Sequence, residues 1–133
     1  MDDVHDYNAL LEADAIFTLN ALRDLCHHHS VTAGWWDPLG SPEAKYETPL
    51  KIALIHSEVS EALEGFRKNI NDTHLTDRPM AEVELADALI RIFDLAGRHG
   101  FDVGGALVEK LAYNITRKDH QPGARAAGDG KKF

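Results

Sequence analysis

His56-Ser57-Glu58-Val59-Ser60-Glu61 and Glu82-Val83-Glu84-Leu85-Ala86-Asp87 each place two carboxylates three positions apart inside an apolar stretch of helical period. Residues three apart share a helix face, with Cβ atoms roughly 5–6 Å from one another. Glu58 with Glu61, and Glu84 with Asp87, therefore make two pairs of oxygen donors that can face each other across two helices. Carboxylates set among apolar neighbours are costly to desolvate without a counter-charge. The two phrases thus predict a helical fold and a hard divalent cation held between two of its helices.

The helix carrying the first phrase is expected over residues 49–68, ~30 Å long at 1.5 Å per residue. Thr48 reads as its N-cap and Pro49 as its first residue, where the missing N–H does no harm. Leu50, Ala53, Leu54, Val59, Ala62, Leu63 and Phe66 supply its apolar surface. The second phrase belongs to a helix over residues 79–99, opened at Asp77-Arg78-Pro79 and ended by Gly100. Glu84, Asp87, Arg91 and Asp94 form its polar stripe, and Val83, Leu85, Ala86, Leu89, Ile90, Ile92, Phe93 and Ala96 cover most of the rest. A helix this apolar is expected to be buried on more than one side.

Two further helices complete the pattern. Residues 8–28 carry Leu11, Ala15, Phe17, Leu19, Leu22, Leu25 and Cys26 at helical spacing, without Gly or Pro. Asp102 can cap a helix running to about residue 117, with Val103, Leu107, Leu111 and Ile115 on its buried face and Gly104-Gly105 weakening its first turn. Residues 29–47, with Gly34, Pro38, Gly40, Pro42 and the adjacent Trp35 and Trp36, read as a loop. No stretch reads as a strand, so the fold class is all-α and four-helix-bundle-like. One domain spans residues 1–120, and residues 121–133 are expected to be a flexible tail.

A length of 133 residues suits a single domain with its own core, and 44% hydrophobic with 27% charged residues is ordinary for a soluble globular protein. No apolar run approaches the ~20 residues of a membrane helix. Met1-Asp2-Asp3 lacks the features of a signal peptide, so no membrane association and a cytoplasmic location are expected. The single Cys26 has no intrachain disulfide partner, which agrees with a reducing compartment, and it reads as a core residue. A net charge of −8 argues against nucleic acid as a partner, because phosphate affinity comes from Lys and Arg. A ligand bearing phosphates would need a metal ion between the two sets of negative charge. The apolar third helix predicts a homo-oligomer, two-fold by default.

Four carboxylates on two helices suit Mg²⁺, with Mn²⁺ as the substitute, and leave positions for water and phosphate oxygens. Such ions polarise phosphoryl groups. A di-iron centre normally takes Glu-x-x-His motifs. Neither phrase has a histidine three residues after an acid, and His56 lies about 200° around the helix from Glu58. His27-His28-His29 points in several directions and reads as a solvated helix end.

Glu58-x-x-Glu61 followed after 23 positions by Glu84-x-x-Asp87 resembles the signature of the MazG-like all-α nucleoside triphosphate pyrophosphohydrolases, over residues 49–119. The resemblance implies that Glu58, Glu61, Glu84 and Asp87 bind Mg²⁺. It also implies hydrolysis between the α and β phosphates of a (d)NTP, giving a nucleoside monophosphate and pyrophosphate. Glu58 or Glu61 would also orient the attacking water. Lys110, Asn114 and Arg117 stand at the positions of a Lys-x-x-x-Asn-x-x-Arg-like phrase that would meet phosphates, with Lys118 as a substitute for Arg117. Trp35 and Trp36 lie where members of the family vary in the groups that contact the base. Lys51 would approach a phosphate or hold the acids in place, and Asp94 would pair with Arg91 or act behind the metal ligands. Family members commonly form homodimers, or homotetramers built from them. Two other functions are compatible with the same residues: hydrolysis of another phosphoanhydride such as phosphoribosyl-ATP, and a non-catalytic helical module that binds metal or nucleotide.

Overall fold

The computed structural model describes residues 2–128. They form α1 (Asp2–Thr32), α2 (Ala44–Lys68), α3 (Met80–His99), α4 (Val103–Thr116), a 3₁₀ turn (Lys118–His120) and α5 (Pro122–Ala126). The fold is all-α, and among the described residues the only β pairing is an isolated bridge between Asn71 and Pro79. No helix of the described residues is long and apolar enough to cross a membrane. The chain divides into two compact units, one made of residues up to Asn20 together with those from Asp102, the other of Ala21–Phe101.

In the Ala21–Phe101 unit, α2 starts earlier than the Thr48-Pro49 signal predicts, so Pro49 lies inside the helix and Glu43, not Thr48, is its N-cap. Proline forfeits one backbone hydrogen bond there. The extra turn is fastened by the buried Glu47, whose Oε1 accepts the Asp37 N–H at 2.6 Å and whose Oε2 accepts from Arg98 Nη2 at 3.2 Å. α3 ends as the sequence predicts, with Gly100 at φ 64° and its N–H returned to Ala96 and Gly97 carbonyls.

Helices α2 and α3 pack on each other, and their separation is set at Gly65. A Cβ there would stand 2.7 Å from Ala81 N and 3.1 Å from Ala81 Cα, so only glycine lets the two backbones come this close. The connection between them is compact. Asn69 takes the left-handed conformation at φ 51°, Met80 N–H donates to Ile70 O, and Asp72 Oδ2 accepts the N–H groups of His74 and Leu75 at 2.7 and 2.6 Å. This Asx-type turn orders the loop that leads into the second acidic phrase.

The buried apolar residues are few and mostly small: Ala62, Ala81, Ala88, Phe93 and Ala96. α3 is not buried on more than one side within the described residues, because Leu85, Leu89 and Ile92, at spacings of four and three, all remain exposed. On α2 the same holds for Ile52, Val59, Leu63 and Phe66, which also fall on one stripe. The acids between this pair are thus better buried than its apolar stripes, which stay exposed. Cys26 is half-buried.

In the other unit, Gly104 is the point of close approach to α1, since a Cβ would meet Ile16 O at 2.6 Å. The first turn that the double glycine weakens is held by Asp102, whose carboxylate accepts the Gly105 N–H at 2.9 Å, and by Asn20, whose amide bonds both Asp102 and the Gly104 N–H. The stretch read as a tail from residue 121 opens with the short helix α5, and its residues 129–133 lie outside the described residues.

Candidate metal centre and adjoining cavity

Glu58 from the middle of α2 and Glu84 and Asp87 from the first half of α3 converge, each offering a carboxylate oxygen within 4.8 Å of the others. Glu58 and Glu84 are buried, at 7% and 8% exposure, and Asp87 is half-buried. Glu61 is exposed and does not belong to the three-oxygen group. It lines the same cavity of about 570 Å³ as the other three, together with Asp72, His74 and Arg91.

The electrostatics record the crowding. Burial, followed by the charge of Glu61 and by Glu58 and Asp87, pushes the Glu84 carboxyl from its ordinary 4.5 up to about 6. Asp87 is raised by burial and by the charges of Glu58 and Asp72, against the opposing pull of Arg91. Like charges brought together out of water disfavour the ionised state, and a proton or a cation relieves them. Among the described residues, the one cationic side chain bonded to the acids is Arg91, whose Nε donates to Glu58 Oε1 at 2.5 Å.

A second cavity, of about 420 Å³, is lined by Ser30, Trp35, Lys51, Leu54, Ile90 and Asp94, and also by Asp87 and Arg91, which it shares with the first. Adjacent tryptophans are divided here. Trp36 is half-buried, donates its indole N–H to Asp94 Oδ1 at 2.8 Å, and lies between the Lys51 ammonium and the Arg98 guanidinium at 4.4 and 4.7 Å from its ring centre. Trp35 is 71% exposed on the cavity wall. Lys51 donates to Trp35 O at 3.0 Å and stands 4.0 Å from Asp94 Oδ2, so it braces the tryptophan loop rather than the acids.

Asp94 does not pair with Arg91. Its Oδ1 takes His27 Nδ1 at 2.9 Å along with Trp36, while Arg91 turns to Glu58. His27 is therefore a partly buried structural partner of Asp94 rather than part of a solvated helix end; its neighbours His28 and His29 are exposed.

Lys110, Asn114 and Arg117 belong to the other unit. Lys110 is exposed with its ammonium 4.6 Å from the Tyr113 ring centre, and Asn114 carries a buried Oδ1 that has no hydrogen-bond partner among the described residues. Arg117 lies beyond the last turn of α4 in extended conformation and forks onto Asp119 at 3.0 and 2.6 Å. Lys118 is exposed in the 3₁₀ turn.

Sequence reasoning placed neither Arg91 nor the loop residues Asp72 and His74 at the acidic cavity. Arg91 stands four residues after Asp87 and seven after Glu84, a spacing that puts it on the acids' face. Asp72 sits in a loop where no periodicity applies. Comparison with protein-family models, with curated proteins and with solved structures finds no match.

Proposed function

We propose that the chain is a Mg²⁺-dependent pyrophosphohydrolase that converts nucleoside triphosphates to monophosphates and pyrophosphate. The observation that carries this reading is the group of three converging carboxylates, two of them buried, beside a cavity large enough for a nucleoside. The donor set fits the ion. It is all oxygen, as a hard cation requires, and ligands of an octahedral Mg²⁺ lie at most ~4.2 Å apart, so oxygens within 4.8 Å of one another need only small side-chain movements.

Glu58, Glu84 and Asp87 would hold the ion, which when bound supplies Lewis-acid polarisation of a phosphoryl oxygen. Glu61, exposed in the same cavity and outside the three-oxygen group, is the better placed of the two base candidates. It accepts the proton of the attacking water as the new O–P bond forms and the α–β bridging bond breaks, with pyrophosphate leaving. The exposed indole of Trp35 stacks on the base, an interaction worth ~1–3 kcal/mol in single-strand systems. On the strength of the family resemblance alone, Lys110 and Arg117 would neutralise phosphates and Asn114 would position them. The partner for the uncovered stripes of α2 and α3 is a second copy of the chain, since two parallel rows of Leu, Ile, Val and Phe suit an isologous two-fold contact.

The test is to incubate the full chain with Mg²⁺ and a panel of ribo- and deoxynucleoside triphosphates and separate the products by chromatography. Monophosphate and pyrophosphate in equal amounts are expected. Release of orthophosphate, or metal-dependent nucleotide binding with no product, rejects the assignment.

A further inference from the structure

Arg91 is the residue that the acidic site leaves unexplained. Its guanidinium is bonded through Nε to Glu58, one of the three converging carboxylates, yet its side chain is 39% exposed whereas that of Glu58 is 9%. Among the described residues its two Nη groups have no hydrogen-bond acceptor. It also lines both cavities, so it stands at their junction.

An arginine serving only to buttress Glu58 would be expected to use its paired N–H groups on the carboxylate, the arrangement that Arg117 makes with Asp119. Arg91 instead presents one N–H to the acid and leaves the rest of its fork towards open space. A divalent cation on Glu58 draws on the same carboxylate charge that holds this single contact, and so weakens it. The released guanidinium, planar and permanently charged, then matches the oxygens of a phosphate better than it matches anything else at the junction.

We propose that Arg91 is a two-position cation: it neutralises Glu58 while no metal is bound, and it transfers to a phosphate of the nucleotide when the metal takes Glu58. This rests on the pyrophosphohydrolase reading for the identity of the ligand, and on geometry for the exchange. Arg91 is thereby a phosphate-binding residue at the junction of the acidic and Trp35-lined cavities. It also makes metal and nucleotide binding cooperative, because the metal frees the group that the nucleotide uses.

Calorimetry on the full chain with Arg91→Met and Arg91→Lys tests this. With Mn²⁺ alone, Arg91→Met should bind the ion about threefold to tenfold more tightly than wild type, because a competing cation of modest strength is gone. With Mn²⁺ saturating, the same variant should bind an α,β-methylene triphosphate about tenfold or more weakly, the loss expected for a hydrogen-bonded charged contact. Arg91→Lys should keep wild-type Mn²⁺ affinity and recover only part of the triphosphate affinity. Weaker Mn²⁺ binding by Arg91→Met would show that Arg91 is a fixed support of Glu58 and overturns the inference, as does unchanged triphosphate affinity. Wild-type protein that binds Mn²⁺ but no triphosphate overturns the functional reading itself, a result that the variants do not mimic.

Discussion

Glu84→Gln should make the metal-free protein more stable at pH 7.5 while removing most of its response to Mg²⁺. The carboxyl of Glu84 protonates at about 6 in the folded chain against an ordinary 4.5, chiefly through burial and the Glu61 charge. The folded state therefore holds the proton more tightly than the unfolded one. Its stability falls as pH rises from about 4.5 to about 6, and the full deficit persists above that. At 1.36 kcal/mol per pH unit the difference corresponds to ~2 kcal/mol, which solvent screening at the open cavity reduces to about 1 kcal/mol. The amide removes that charge and still offers an N–H to Glu58, so the variant should melt about 4 °C higher than wild type in chelator at pH 7.5. The two proteins should converge near pH 4, where Glu84 is neutral in the folded chain and largely so in the unfolded one. Saturating Mg²⁺ at about a hundred times its dissociation constant should stabilise wild type by ~2.7 kcal/mol and the variant far less. Thermal denaturation at pH 4, 6 and 7.5, with chelator and with Mg²⁺, reads all of these. A variant less stable than wild type in chelator at pH 7.5 refutes the electrostatic account, and an undiminished Mg²⁺ response refutes Glu84 as a ligand.

Glu61→Gln should abolish pyrophosphate release, by about 100-fold or more, while Mn²⁺ affinity measured by calorimetry falls much less, because Glu61 stands outside the three-oxygen group; an active variant ends its assignment as base. Gly65→Ala places a Cβ 2.7 Å from Ala81 N, so denaturation should show a loss of about 1–3 kcal/mol and calorimetry a weaker metal site, since the helix separation sets the distance from Glu58 to Glu84. Trp36→Ala should cost about 3 kcal/mol of stability, whereas Trp35→Ala should leave the melting temperature unchanged and raise the KM for nucleotide. Light scattering should give a mass of at least two chains, reduced by Leu89→Glu; a monomeric wild type removes the second copy as the cover for the apolar stripes.

The helices were legible wherever a local device fixes them. Gly100 supplies a left-handed terminus, and Asp102 caps α4 through the Gly105 N–H. The start of α2 was not legible, because the Thr48-Pro49 signal is overridden by Glu47, whose partners Asp37 and Arg98 lie 10 and 51 residues away. The same distinction separates the site residues. Spacing alone brings Glu84 and Asp87 onto one face, and Glu58 opposite them. It does not tell how far α2 is rotated, and that rotation leaves Glu61 at the cavity wall instead of in the oxygen group. Nor can adjacency distinguish Trp35 from Trp36, since what fixes Trp36 is Asp94, 58 residues on.

Asp94 also bears on what the polar stripe of α3 can do besides offering ligands to a metal. Glu84, Asp87, Arg91 and Asp94 follow one another at spacings of three and four, so the stripe runs ~15 Å along the helix. Its first two members are short of polar partners, and its last is well supplied with them, with His27 Nδ1, the Trp36 N–H and the Lys51 ammonium all turned towards Asp94. A carboxylate so provided has no need of the neighbouring Arg91. Arg91 is left to the acids on its other side, where one N–H reaches Glu58 and the two Nη groups find no acceptor among the described residues. The satisfied acid at one end of the stripe thus places an available guanidinium between the crowded acids and the Trp35-lined cavity, the position from which a phosphate lying between the two would be met.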